Sequence, residues 1–536
     1  MDRAAVHRHR WKILAVLCIS LVLISLDNLV LNLALPKIQL DLGATGAELQ
    51  WTVDSYTLTF GGLLLLCGSL ADRFGRRRLL LLGMALFGAF SLGAAFAGDT
   101  GTLIAMRAAM GVGAAMIMPA TLAVIKDVFP ADEQAKAVGI WAGTAAIGVP
   151  LGPVIGGLLL EYFWWGSVFL VNIPVVLLAL WAGAALVPES RAPRHPGLDL
   201  VGALLSVAGL TVLVYGLVEA PRHGWTDATT LGLLLGGAAL LAGFLFWERS
   251  TAHPLLTPGL FGDARFGGAA VAVLAIAFGM YSALFVLTQY LQFILAYEPL
   301  EAGLRLLAVA TMVPAAPVGT LLARRVGLRA VIAGGLVLIT AALVVMAGAG
   351  QASEGRVLLS LALFGLGAGL SMPTAADAML AAAPRGQSGA GSAVTDTALQ
   401  IGGALGIAGV GSVLTTSYRD ALPPLDALPP QASDAVRDSL GAATAASDAV
   451  GGPAGAALAE AARRAFTDGL GDALTVGAVA TALGAVAAAL ILPGRPGKPE
   501  DPGAAPGTDE DFRPGVSGAD PHGSHQVKGA RGGRHA

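Results

Sequence analysis

The sequence predicts an all-α polytopic membrane protein: two six-helix bundles with two further helices inserted between them, about fourteen transmembrane helices in all. Three observations predict it: a composition too apolar for water, a series of apolar stretches long enough to cross a bilayer, and an internal repeat that carries one group of spans onto another. Hydrophobic residues are 55% of the 536 and charged residues only 13%, against roughly 25% charged in an ordinary soluble domain. The mean hydropathy is +0.71. A net charge of -3 gives no footing for a nucleic-acid partner. Cys18 and Cys67 both fall in apolar runs, where a small hydrophobe is expected, so neither a disulfide framework nor a metal site is indicated.

Apolar runs of about 18 residues or more can cross a bilayer as helices. After a basic segment at 1–11, read as a cytoplasmic N-terminus, such runs fall at 12–35, 50–71, 79–98, 101–125, 136–160 and 166–187, which together make the first bundle. An inserted pair follows at 198–219 and 229–247. The second bundle occupies 267–492, with runs at 267–293, 303–323, 329–348, 357–379, 392–415 and 470–492. The first run has the basic flank of a secretory signal in Arg3, Arg8, Arg10 and Lys12, but its length and the lack of a small-x-small cleavage pattern before Pro36 make it a retained span. Between the last two spans, an outside loop at 416–467 rich in Ala, Pro and Asp is long enough to be partly helical. The remainder, 493–536, reads as a disordered cytoplasmic tail, and His522, His525 and His535 within it as solvated residues rather than a metal site.

Basic residues orient the chain. With the N-terminus inside, the inner loops receive Arg73, Arg76, Arg77, Arg78, Lys126, Lys136, Arg191, Arg194, Arg249, Arg265, Arg324, Arg325, Arg329 and Arg385, and the short outer loops receive few, among them Arg222 and, at span edges, Arg305 and Arg356. That asymmetry follows the positive-inside rule and, with an even number of spans, puts the C-terminus inside as well.

The repeat is visible in three places. Gly111 to Pro119, GVGAAMIMP, matches Gly365 to Pro373, GLGAGLSMP, at an offset of 254, and Ile147, Gly148, Leu151 and Gly152 match Ile401, Gly402, Leu405 and Gly406 at the same offset. In the loops, Arg73-Phe-Gly75-Arg76-Arg77 is echoed by Arg325-Val-Gly327-Leu-Arg329 at 252. The repeat moves spans two, four and five onto ten, twelve and thirteen, so six spans form each half and two are inserted. Parallel six-span halves are a transporter architecture with substrate bound between them near the midplane.

These residues also resemble a known family. Gly68-Ser-Leu-Ala-Asp72-Arg73-Phe-Gly75-Arg76-Arg77-Arg78 is similar to the loop signature of the major facilitator superfamily, G-x-L-a-D-r-x-G-r-[kr]. Gly148-Val-Pro-Leu-Gly152-Pro153-Val-Ile-Gly156-Gly157 resembles the antiporter signature g-x-x-x-G-P-x-x-G-G. LDNLVLNLALP, from Leu26 to Pro36, resembles the first-span signature of fourteen-span drug:proton antiporters of the EmrB/QacA type. The resemblance covers the chain to about Leu492. It implies the major facilitator fold and proton-coupled secondary-active export of lipophilic drugs or antibiotics across the plasma membrane. It implies a monomer working with a small lipophilic substrate, protons and membrane lipid. The alternatives are a dedicated exporter of one endogenous metabolite or a non-transporting scaffold. Two patterns depart from the family: Met110 stands where a glutamine usually follows the fourth-span arginine, and Gly166 stands where the sixth-span pattern carries an arginine. No nucleotide-binding signature occurs, no cofactor is implied, and no nucleophile-base or metal-spaced cluster points to an enzyme.

The candidate residues follow from cost. A carboxylate inside the bilayer costs about 2.5–3.5 kcal/mol on insertion scales, so Asp27 needs a compensating reason. It lies roughly 13 Å below the outer end of its helix, and Arg107 roughly 10 Å below the outer start of the fourth span, so the two are at similar depth. Either Asp27 exchanges a proton or cationic substrate during a cycle, or it forms a static pair with Arg107 or bonds to Asn28 and Asn32. Asp54, about a turn into the second span, reads as a rim residue or a second proton or cation site. For substrate, the candidates are Asn32 and a stripe on span nine, where Tyr281, Phe285, Thr288, Gln289 and Gln292 share one helical face. Either they meet a lipophilic substrate or they bond and pack between helices. The loop residues Gly68, Asp72, Arg73, Gly75 and Arg76 suggest a latch that also sets topology. Gly148, Gly152, Pro153, Gly156 and Gly157 suggest a seam of close helix approach.

Overall fold

The computed structural model describes residues 3–191, 197–251, 254–256, 258–348, 354–382, 388–425 and 428–494. The tail from 495 on, with its three histidines, lies outside them, as do Arg194, Arg385 and the side chain of Asn28. Among the described residues the regular elements are all helical. The first half comprises α1 (Arg3–Leu42), α2 (Gly46–Phe74), α3 (Arg76–Ala95), α4 (Thr100–Val128), α5 (Ala131–Tyr162), the short α6 (Ser167–Leu170) and α7 (Asn172–Leu186). The inserted pair is α8 (Leu200–His223) and α9 (Ala228–Ser250). The second half comprises α10 (Ala264–Gln289), α11 (Pro299–Leu306), α12 (Met312–Val326), α13 (Leu328–Ala347), α14 (Glu354–Ala382), α15 (Ser388–Ala421) and α18 (Gly452–Ile491), with α16 (Pro430–Asp438) and α17 (Leu440–Val450) between its last two spans.

Thirteen spans among the described residues, some made of two helices end to end, are long and apolar enough to cross a membrane. The expected fifth span is α5, 32 residues long, whose apolar stretch among the described residues is Leu151–Tyr162. Local sequence fixes the helix ends. Thr45 and Glu48 form a reciprocal capping box at the start of α2, and Asp99, Asp199, Asp227 and Asp263 cap α4, α8, α9 and α10. Gly75 and Gly327, partners in the repeat, have φ of 120° and 93°, which only glycine adopts cheaply, and each turns the chain directly into the next span.

The repeat is physical as well as textual. Thr59 Oγ1 donates to Ala108 O at 2.9 Å, and its counterpart Thr311 Oγ1 donates to Ala362 O at 2.9 Å. A Cβ on Gly113 would lie 2.8 Å from Gly83 O, and one on the matching Gly367 would lie 2.5 Å from Gly335 O. These approaches are closer than any side chain allows, so glycine sets the helix spacing in both halves.

Two boundaries differ from the sequence reading. Helix α15 runs on to Ala421 and α18 begins at Gly452, because the Ala-rich stretch before residue 470 has high helix propensity and continues the helix beyond the apolar run. The loop between them folds as α16 and α17 and is tied down: Tyr418 Oη donates to Val436 O at 3.0 Å, and Asp438 meets Arg222 at 3.2 Å and Arg419 at 3.7 Å.

Contacts between the halves run from the end opposite Arg76 to the middle of α2. Gln50 of α2 abuts Gly411 and Gly61 abuts Gln400 on α15, while Gly157 of α5 abuts Leu300 on α11. The inserted α8 packs along that α2–α15 seam, where Leu210, Val214 and Val218 meet Leu58, Ala404 and Ala408.

Candidate functional site

Three helices are held in register around Asp27. Asp99 caps α4 by accepting from Thr102 N at 2.8 Å and Thr102 Oγ1 at 2.7 Å, and these bonds hold its carboxyl below the usual range. Thr100 Oγ1 then donates to Glu48 Oε1 at 2.7 Å, joining the starts of α4 and α2. Farther in, Ser55 Oγ reaches Ile104 O at 3.2 Å, and a Cβ on Gly111 would lie 2.5 Å from Tyr56 O. Because α2 and α4 are this close, Thr52 and Tyr56 are pressed against Arg107.

Arg107 is fully buried and Asp27 is 3% exposed. Arg107 Nη1 forms an ion pair with Asp27 Oδ2, and Nε donates to Thr52 O at 3.1 Å. The guanidinium lies 4.3 Å from the Tyr56 ring centroid and 6.0 Å from that of Phe169, a cation–π arrangement. On the other side, Asn172 Nδ2 donates to Asp27 Oδ1 at 3.0 Å and lies 3.1 Å from Ser91 Oγ, which itself donates to Phe169 O at 2.9 Å. Thus α1, α2, α3, α4 and α7 converge on one buried charge pair. At an effective dielectric near 20 such a pair attracts by roughly 4 kcal/mol, and removing one partner typically costs about 3–5 kcal/mol because the other charge stays buried. Arg107 Nη2 has no hydrogen-bond partner among the described residues.

Asp54 is not a rim residue. Helix α2 starts two turns earlier, at Gly46, and Asp54 is fully buried, with neither carboxylate oxygen partnered among the described residues. Gln50, Asp54 and Gly61 share a helical face, and its two outer members touch α15, so Asp54 lies in the seam between the halves.

The α10 stripe also faces that seam. Phe285 and Gln289 line a small cavity with Gln39, Gln50 and Tyr418, and Gln292 Nε2 donates to Leu33 O of α1 at 3.0 Å, while the Tyr281 ring lies 3.0 Å from where a Cβ on Gly403 of its own half would sit. Asn32 is buried nearby in sequence on α1. The opposite face of α10, with Met280, Ala283, Leu284 and Leu287, lines a second cavity. Pro153, Leu306, Val309, Met312, Leu361, Phe364 and Ala368 complete it, an entirely apolar wall.

With this geometry in view, the Major Facilitator Superfamily profile matches residues 17–407. The chain belongs to the major facilitator superfamily. It is 36% identical to the multidrug efflux pump LfrA of Mycolicibacterium smegmatis over 475 residues, 88% of this chain and 94% of that protein. It is 32% identical to the tetracenomycin C resistance and export protein of Streptomyces glaucescens over 92% of this chain and 93% of that one. Against the puromycin resistance protein pur8 of Streptomyces alboniger the identity is 38%, over 76% and 82%. Among solved structures, a bacterial homologue of the lysosomal transporter Spinster shares the fold with a TM-score of 0.63 at 17% identity, over 90% of this chain and 98% of that one.

The superfamily's loop signature is an intramolecular clamp in this chain. Arg76 bonds Asp72 Oδ1 through Nε at 3.0 Å and Nη2 at 2.8 Å, and also pairs with Asp127 at the end of α4. Gly75 leaves room for Glu189, whose Oε1 would lie 2.5 Å from a Cβ there and whose Oε2 is 3.5 Å from Arg78 Nε. Gly68 faces Pro119 of α4, and Arg73 lies over the exposed Phe74 ring at 5.6 Å. In the antiporter stretch, a Cβ on Gly156 would sit 3.0 Å from Val30 of α1, and one on Gly157 would sit 2.7 Å from Leu300 Cα. Gly152 and Pro153 are buried beside them, and Gly148 is helical with its surroundings outside the described set. The stretch therefore packs α5 against α1 on one side and α11 of the other half on the next.

Sequence reading misses Asn172, Ser91 and the Thr52 carbonyl. Asn172 stands inside the sixth-span pattern, which is a usable signal; a backbone carbonyl carries none. Asp27 and Thr52 O also answer the missing glutamine at Met110, since they supply the partners that Arg107 needs.

Proposed function

We propose that this chain is a proton-coupled, secondary-active exporter of lipophilic drugs or antibiotics. It works as a monomer in the plasma membrane with both termini cytoplasmic. The observation that carries the proposal is the buried Asp27–Arg107 pair, oriented by Asn172 and reached from five helices of one half. Protonating Asp27 removes the charge that Arg107 neutralises, and so changes what holds α1 to α4 and α7; a proton can thereby bias two packings of that half. The apolar cavity beside α10, α11 and α14 suits a lipophilic cargo. The names of the relatives, a multidrug efflux pump and resistance proteins, support export. With the arginine-rich end inside, the interhelical contacts at Gln50 and Gly157 close the outer side, and the Asp72–Arg76–Asp127 clamp would be remade as the halves rock. Asp54 is proposed as a second proton or cation site in the seam.

Membrane vesicles that carry the protein and a preloaded dye should export it when a pH gradient is imposed, and vesicles with Asp27→Asn should not. Export that persists at the same rate after the gradient is collapsed contradicts the proposal. A second reading, a dedicated exporter of one endogenous metabolite, is favoured by the relatives named for single compounds, tetracenomycin C and puromycin. A panel of unrelated compounds in the same vesicles separates the two.

A further inference from the structure

A second buried acidic feature lies away from Asp27, where the inserted helix pair begins and ends. Asp199, which caps α8, is 5% exposed, and Glu248, in the last turn of α9, is 2% exposed. A Cβ on Gly202 would lie 2.5 Å from Asp199 Oδ2 and 2.5 Å from Glu248 Oε1, so the two oxygens face one another across space that only glycine leaves.

Their other partners differ. Asp199 accepts from Gly202 N at 2.8 Å and from Trp247 Nε1 at 2.9 Å and 3.0 Å, donors that suit an ionised carboxylate. Glu248 Oε2 accepts from Leu256 N at 2.8 Å, while Glu248 Oε1 accepts from nothing among the described residues. Neither acid has an ion-pair partner among those residues, where Arg249 beside Glu248 is exposed. The elements packed nearby bring Asp72 and Arg73 on α2, Asp396 on α15 and Asp263 before α10, and none of these pairs with either acid. His195 and His253 lie outside the described residues. Two adjacent buried carboxylates with no cation beside them among the described residues do not both ionise, and the oxygen without a donor is the one that can itself be a donor.

We propose that Glu248 carries a proton and donates it through Oε1–H to Asp199 Oδ2, making a carboxyl–carboxylate clasp that is a proton-holding site separate from Asp27 and Arg107. The clasp joins three points of the chain: the entry to α8, the exit of α9, and, through Leu256 N, the segment that leads into α10. Since α8 lies along the α2–α15 seam, the proton fixes how the inserted pair is tied to the second half. Its loss leaves two like charges in one buried space and breaks the link between the entry to α8 and the exit of α9, while Glu248 Oε2 still accepts from Leu256 N.

The test uses the full chain in detergent and compares the parent with Glu248→Gln and Asp199→Asn. In Glu248→Gln the amide donates the same hydrogen bond with no proton to lose. The folded parent keeps a proton that the unfolded chain gives up above about pH 4.3, the ordinary glutamate value, so its Tm falls relative to Glu248→Gln as pH rises. Infrared spectra at neutral pH show a protonated-carboxyl band that both variants reduce by one group, since in Asp199→Asn Glu248 ionises against an amide donor. Parallel Tm–pH profiles for the parent and Glu248→Gln, or an undiminished acid band in either folded variant, overturn the proposal. If Glu248→Gln does not fold while Asp199→Asn retains the full acid band, it is overturned as well.

Discussion

The two six-helix halves share their packing and differ in their charge. Thr59 and Thr311 make the same helix-to-helix hydrogen bond, and Gly113 and Gly367 allow the same close approach. Yet the residue 254 positions after Arg107 is Leu361, and the residues 252 and 254 positions after Asp27 are Gly279 and Tyr281, so the second half carries no such charge pair at these positions. Tyr281 is buried against Gly403 of its own half, and Leu361 lines the apolar cavity. Backbone geometry is thus kept by the residues that permit close contact, while chemistry is free to diverge at positions that only face a neighbour. Under the proposed function, the first half holds the proton and the second half holds most of the cargo wall.

Breaking that comparison at its charged side has the largest expected effect. Arg107→Ala strands a buried carboxylate and should cost about 3–5 kcal/mol, seen as a large drop in Tm together with loss of gradient-driven export; Leu361→Ala, its counterpart, should cost about 2–5 kcal/mol in stability at most and leave coupling to the gradient intact. Gly113→Val and Gly367→Val sharpen the shared side. Each forces a side chain into a helix contact and should destabilise by about 1–3 kcal/mol, and equivalent seams require the two losses in Tm to be similar. A large difference between them would mean that the halves are held in different ways.

How much of the molecule is legible in its sequence depends on whether a feature is local. The spans, the glycine seams and the equal depth of Asp27 and Arg107 follow from hydropathy, spacing and rise per residue. Asn172 comes to Asp27 from 145 positions away, and nothing local to either residue announces the meeting. For the α10 stripe, periodicity identifies one face but not which neighbour that face meets. The amide side, with Phe285, turns to the seam and the plain apolar side to the apolar cavity. Counting from the apolar run puts Asp54 near a rim, whereas a capping box starts α2 earlier and α15 covers the site.

Smaller effects refine the division of labour. Asn172→Ala removes one hydrogen bond to a charged group, worth about 1.5–3 kcal/mol, and should shift the pH dependence of export while leaving the apparent affinity for cargo unchanged. Phe364→Ala should do the reverse: it enlarges the apolar wall and should change apparent affinity by about tenfold, the effect of about 1.4 kcal/mol, with the pH profile of export unaltered. If Phe364→Ala moved the pH profile as Asn172→Ala does, the two halves would not be separable in function.

The central claim is that Asp27 is the acid that exchanges the coupled proton. Substrate-induced proton release from detergent-solubilised protein tests it most directly, with Asp27→Asn as the comparison, since asparagine keeps the shape and can still hydrogen-bond. The parent should release protons when cargo is added, and folded Asp27→Asn should not. Release from Asp27→Asn equal to that of the parent would contradict the claim, and would make the aspartate a packing residue.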